Sequence, residues 1–188
     1  MPMRHSSPAG PGPRAHTVVD SPLGPLTLVA EGVALAGLYM AGQRHRPPQE
    51  SFGPRREGLL APVAAWLEDY FAGRRPAFTA PLALAGTDFQ RAVWRALLAI
   101  PYGATRTYAQ LAADVGRPAA VRAVGAANGR NPVGIVVPCH RVVGSDGDLT
   151  GYGGGLESKR FLLELEGAPA VRRPVVRRRA GGRAAARG

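Results

Sequence analysis

Apolar residues alternate with small or polar ones between Thr17 and Met40. The segments TVVD, PLTLVA and VALAGLYM, separated by the turn sequences SPLG and EG, predict three short antiparallel strands. Residues 42–58 are polar and rich in proline, a loop. The period then lengthens. Leu59, Val63, Trp66, Leu67, Tyr70 and Phe71 recur at helical spacing, predicting an amphipathic helix over 59–72 that Gly73 and Pro76 close.

After the linker RRPAFTAPLALAG, Thr87 or Asp88 caps a second helix whose Phe89, Val93, Trp94, Leu97 and Leu98 share one face, up to Pro101 and Gly103. Thr107 caps a third, TYAQLAADVG, and Pro118 opens a fourth, PAAVRAVGAANG. Two short helices about a Gly-Arg-Pro turn resemble a helix-turn-helix, and an ordinary helical hairpin is the alternative. The fourth helix is unusual in its surface. Ala119, Ala120, Ala123, Gly125, Ala126 and Ala127 leave it nearly bare, with Arg122 the only long polar side chain before Arg130, so its backbone can approach a partner closely. GIVVP, 134–138, predicts a short buried strand, a glycine-rich loop follows, and ESKRFLLELEG makes a last helix ended by Gly167.

These elements give an α/β (α+β) chain. A small antiparallel-sheet-plus-helix domain over 16–80 precedes a mostly helical domain over 85–170, which carries the helix-turn-helix and a short active-site strand. Residues 1–15, with four Pro and two Gly, and the basic tail 171–188 read as disordered.

Charge sharpens the picture. The 188 residues carry 24 Lys plus Arg against 13 Asp plus Glu, a net +11. Seven of the arginines follow Val171 in a stretch without acids, leaving 17 against 13 in residues 1–171, a net +4. A mildly basic body with a strongly basic end suits a polyanion such as nucleic acid, the alternative being a solvated tail. No run of 18 apolar residues and no apolar core near the start are present, so a cytoplasmic protein without a membrane span is expected. The single cysteine, Cys139, excludes an intramolecular disulfide and a multi-thiolate zinc cluster.

Cys139 is followed by His140 and Arg141, whose charge would lower the thiol pKa and favour the nucleophilic thiolate. A direct bond from Cys139 to His140 would need a turn or a bridging water, because adjacent strand residues face opposite ways. Glu166 sits in the last turn of its helix, against the dipole, which costs about 0.3–1 kcal/mol and suggests a task such as orienting a histidine, the alternative being a solvated surface acid. Asp146, Asp148, Thr150, Gly151 and Glu157 have the spacing of a calcium loop, but no helix leads into them. GYGGG lacks the Gly-Lys-Ser/Thr of a phosphate cradle and reads better as backbone lining a pocket for a planar ligand.

PCHRV at 138–142, preceded by RAVGAANGRNPVGIVV and followed by GYGGGLESKRFLLELEG, resembles the O6-alkylguanine-DNA alkyltransferase family. The resemblance is close over about residues 87–167 and looser before them. It implies repair of O6-alkylguanine, and by extension O4-alkylthymine, in duplex DNA by irreversible, single-turnover transfer of the alkyl group to Cys139. His140 would act as base through a water, Glu166 would hold the imidazole, and Tyr108 would protonate N3 of the departing guanine. Arg122 would fill the space left by the flipped base, while Ala123, Gly125, Ala126 and Ala127 lie along the minor groove. Asn131 would tie the helix-turn-helix to the active-site strand, and Val142, Tyr152 and Gly153 would line the guanine pocket with the Cys139 backbone. Gly153 stands where the family often has serine. No cofactor is implied, the zinc of some relatives is not expected without N-terminal cysteines, and a monomer is expected. A non-catalytic module recognising alkylated bases is the alternative function.

Overall fold

The computed structural model describes residues 12–168. Three antiparallel strands come first, β1 (Arg14–Val19), β2 (Leu26–Glu31) and β3 (Ala34–Met40), in the order β1-β2-β3. β1 begins two residues inside the segment expected to be unstructured; residues 1–11 and the tail lie outside the described residues. The loop that follows contains one short 3-10 turn, Gln49–Phe52.

Helix α1 (Ala61–Phe71) is shorter than the periodicity suggests, because Leu60 caps it in the left-handed region at φ 58°. Val63, Leu67 and Tyr70 point inward. α2 (Asp88–Leu98) and α3 (Tyr108–Asp114) each start with a capping box, Thr87 with Gln90 and Thr107 with Gln110, which satisfies amides that would otherwise be orphaned. α4 (Val121–Gly129) begins three residues later than Pro118, since Ala120 N donates to Arg117 O and 117–120 form a turn. α5 (Leu156–Leu165) closes the described chain.

The strand expected at 134–138 is instead a buried turn. Ile135 has φ 68°, outside strand geometry, Val136 N donates to Gly134 O and Val137 N to Val133 O. An uninterrupted apolar run is compatible with any buried backbone, and here Asn131 supplies the missing bonds: its Nδ2 donates to Val137 O at 2.7 Å and its Oδ1 accepts from Val133 N at 3.0 Å. The short strand lies just beyond. β5 (Val142–Val143) pairs in parallel with β4 (Arg106–Thr107), with Arg106 opposite Val142 and Thr107 opposite Val143. One apolar cluster joins both halves, running from Leu28 and Leu38 through Tyr70 and Trp94 to Val124, Val137 and Leu162.

Candidate active site

Pro138 leaves the buried turn and Cys139, His140 and Arg141 form one 3-10 turn. Cys139 and His140 are therefore not on opposite faces of a strand. Cys139 is 7% exposed. Burial pushes its thiol pKa up, opposed by the Asn131 side chain, the Lys159 charge and nearby backbone amides. The charge that favours its thiolate thus comes from Lys159 rather than from His140 or Arg141, as the sequence suggested. Arg141 is turned away, donating through Nη1 to Ile100 O at 2.6 Å and through Nε to Glu166 Oε2 at 2.7 Å.

Glu166, at the C-terminal end of α5, is the hub. Its Oε1 accepts from Tyr70 Oη at 2.7 Å, His140 Nε2 at 2.8 Å and Arg141 Nη2 at 2.9 Å. Its Oε2 accepts from the Gly103 amide at 3.2 Å as well as from Arg141. Burial alone would raise this carboxyl's pKa, but the hydrogen bonds and charges of His140 and Arg141 outweigh it and hold the group ionised. Burial lowers the His140 pKa in spite of Glu166, so the imidazole is neutral. A neutral ring that donates through Nε2 carries its lone pair on Nδ1, and that nitrogen has no protein partner.

Lys159 is completely buried. Its Nζ donates to Val142 O at 2.5 Å and Thr150 O at 2.8 Å, and burial lowers its pKa to about 8. It occupies the loop that mimics a calcium site, so that loop's carbonyls already face a cation. Among the described residues no group of three or more His, Cys, Asp or Glu could hold a metal ion. Neither Lys159 nor Tyr70 was singled out from sequence. For Lys159 a signal existed: it shares the inward face of α5 with Leu162, Leu163 and Glu166, spaced three, four and seven residues on.

In front lies a cleft of about 610 Å³ walled by Tyr108, Arg122, Gly125, Ala126, Tyr152 and Gly153 among others. Tyr108 Oη lies 3.2 Å from Thr150 O and 3.4 Å from Gly151 O, with its pKa raised by burial. Arg122, Ala123 and Ala126 are exposed on one side of α4. Ala127 is not among them: it is 3% exposed on the opposite face, and its carbonyl accepts from Trp94 Nε1 at 2.9 Å. Val142 and Asn131 are buried behind the cleft, the Val142 carbonyl already bonded to Lys159. The glycine run does bring backbone into the wall. A Cβ on Gly154 would sit 2.3 Å from Met40 Sδ, whereas one on Gly153 would meet Gln43 Cγ at 3.4 Å.

Comparison with known proteins supplies the decisive observation. Residues 15–84 match the family described as 6-O-methylguanine DNA methyltransferase, ribonuclease-like domain, and residues 88–168 match 6-O-methylguanine DNA methyltransferase, DNA binding domain. A methylated-DNA–protein-cysteine methyltransferase of Mycobacterium tuberculosis is 51% identical over 151 residues, covering 80% of this chain and 91% of the relative. The chain belongs to the 6-O-methylguanine DNA methyltransferase family. A Methanosarcina barkeri methyltransferase is 46% identical over 151 residues, covering 80% of this chain and 96% of that one. The crystal structure of Mycobacterium tuberculosis OGT in complex with DNA superposes with a TM-score of 0.77 at 49% identity, covering 83% of this chain and 96% of that one. The present methyltransferase is thus a DNA-binding repair protein with a ribonuclease-like N-terminal domain carrying the three-stranded sheet and a helical DNA-binding domain after it. Among its described residues no helix is long and apolar enough to cross a membrane.

Proposed function

We propose that the protein accepts the alkyl group on Cys139, once per molecule. The carrying observation is the buried line from Glu166 through a neutral His140 whose free Nδ1 belongs to the residue next to the chain's sole cysteine. Nδ1 takes the thiol proton through a water. Sγ then forms its bond to the alkyl carbon as the carbon–O6 bond of guanine breaks, and Tyr108 gives its phenolic proton to N3 of the departing base. The Cys139 thiol is raised by burial, so a base is required, and Lys159 steadies the thiolate once formed. A thioether has no chemical route back to a thiol here, so the reaction ends with the first turnover.

The substrate base lies inside a duplex stack, and the cleft in front of Cys139 accepts it only when it is flipped out. Exposed Arg122, Ala123 and Ala126, with Gly125 beside them, present a shallow face that suits the minor groove, with Arg122 entering the vacated stack. Tyr152, Gly153 and the backbone near Cys139 and Val142 hold the guanine, and Asn131 keeps the reactive turn in shape. In this reading the units span 16–80 and 85–170, and the protein acts as an intracellular monomer. O4-alkylthymine is a second substrate.

Intact-mass measurement after mixing with an O6-methylguanine oligonucleotide tests it. One methyl group per protein is expected, confined to the Cys139 peptide, with repaired guanine equal to protein added. More than one equivalent of product would end the single-turnover reading. Cys139→Ser should bind DNA and transfer nothing; transfer by that variant would displace Cys139 as acceptor.

A further inference from the structure

The cleft walled by Tyr108, Arg122 and Tyr152 has a neighbour on the far side of α4. A second cleft of about 440 Å³ adjoins it between the helical unit and the loop after β3, and Arg44, His45, Gly129 and Arg130 belong to both walls. The second cleft is one-sided in charge. Arg14, Arg44, Arg46 and Arg130 line it, and no Asp or Glu does. Arg14 is committed to Glu31 at 3.0 Å. Among the described residues no ion pair joins Arg44, Arg46 or Arg130 to an acid.

Arg46 is also held in place. His16, buried in β1, has Nδ1 2.9 Å from Gly53 O, which makes that nitrogen the donor and leaves Nε2 to accept from Gln49 Nε2 at 2.9 Å. The Gln49 amide is thereby oriented with Oε1 toward Arg46 Nη2 at 2.5 Å, and the guanidinium lies 4.9 Å from the Phe52 ring centre. Fixing a free arginine side chain costs up to about 2 kcal/mol of rotamer entropy, so an arginine fixed in advance meets an anion at a lower cost. Unneutralised cations repel one another, and a cleft lined by several of them without acids, one held in advance, fits an extended polyanion.

We propose that this second cleft takes the phosphodiester backbone of the DNA strand continuing from the repaired base, so that the ribonuclease-like domain grips DNA directly through Arg44 and Arg46, opposite Arg130. The inference rests on the reading that DNA seats against α4, and the walls shared by the two clefts, Arg44, His45, Gly129 and Arg130, are what select DNA over a free nucleotide.

Affinity of the full-length protein for an unmodified duplex, measured by fluorescence anisotropy across a salt series, tests it. Each phosphate contact contributes about 0.9 to the slope of log affinity against log salt. Arg46→Gln should flatten the slope by about 1, and replacing Arg44, Arg46 and Arg130 together by glutamine should flatten it by about 2 to 3 and weaken binding at least tenfold at physiological salt. Gln49→Glu keeps every arginine but sets a carboxylate against Arg46, and should flatten the slope as Arg46→Gln does. Slopes unchanged in Arg46→Gln and Gln49→Glu, with melting temperatures retained, overturn the proposal. So does inhibition of duplex binding by a mononucleotide at constant ionic strength, which would make the cleft a nucleotide site. If the unsubstituted protein bound no duplex at all, the α4 reading would fall with it; if Arg122→Ala weakened binding while the cleft variants did not, only the cleft would fall.

Discussion

Tyr70 donates a 2.7 Å hydrogen bond to Glu166 across 96 positions of sequence, linking the first helix to the carboxylate that holds His140. Both groups are 1% exposed. Hydrogen bonds to charged groups contribute about 1.5–3 kcal/mol. Tyr70→Phe should therefore lower the unfolding free energy by about that amount in urea titrations. His140 and Arg141 still hold Glu166, so the variant should still accept one methyl group, more slowly.

On the proposed reading Arg122 serves only base extrusion, whereas Tyr108 serves both extrusion and chemistry. Free O6-benzylguanine needs no flipping, whereas extruding a base from duplex costs a few kcal/mol. Arg122→Ala should slow the reaction with duplex DNA by about ten- to a hundredfold and leave the free-base reaction within about threefold. Tyr108→Phe should slow both, because the leaving guanine loses its proton donor in each. Equal damage to both reactions by Arg122→Ala would move the arginine from the stack to the pocket.

Stability should follow pH in a defined order. The folded pKa of His140 is held below its ordinary 6.5, so the unfolded chain takes up a proton first as pH falls. Its contribution is present above 6.5 and is lost as pH drops toward the folded value. Glu166 is likewise held below 4.5, and its contribution is lost as pH falls beneath that. Lys159 titrates at about 8 in the fold against 10.5 when free, so its own contribution to stability should rise between about pH 8 and 10.5, opposed above about 9 by the Cys139 thiol, whose pKa burial raises. Chemical denaturation across pH should show these windows. His140→Gln should remove the one beginning near 6.5, and Lys159→Met should leave stability lower than in the unsubstituted protein by an amount that grows between about pH 8 and 10.5.

The glycine run offers a steric test. An alanine Cβ at Gly154 collides with Met40 Sδ at 2.3 Å and Tyr152 Cε1 at 3.0 Å, whereas at Gly153 it finds ordinary contacts. Gly154→Ala should cost about 1–3 kcal/mol by overpacking, and Gly153→Ala less than about 0.5 kcal/mol. Thermal unfolding of the two variants would separate them.

The three strands were legible from alternation, and the caps, Thr107 and one of Thr87 or Asp88, from a capping residue set just before a helical run; the structure selects Thr87. The turn at 133–137 was not, since its bonds come from Asn131, and an apolar run carries no mark of where its amides find partners. Cys139, His140 and Glu166 could be proposed from their neighbours and from the family pattern. Tyr70 could not: inside a run of helical spacing its hydroxyl looks like one more core aromatic, and only the packing of α1 against α5 gives it a role. Ala127 was misplaced for a related reason, because an alanine fits either face of a helix and its composition does not say which face is buried.

The parallel pair β4–β5 is only two residues long on each side, yet Tyr108 follows one strand immediately and Cys139 stands three residues before the other. The proposed proton donor and the acceptor thiol are thus mounted on a common strut. If DNA seats against α4 as proposed, a bent or kinked duplex would change how the base is presented more than the spacing of the two groups proposed to react with it. The proposed chemistry would in this way be insulated from irregularity in the DNA.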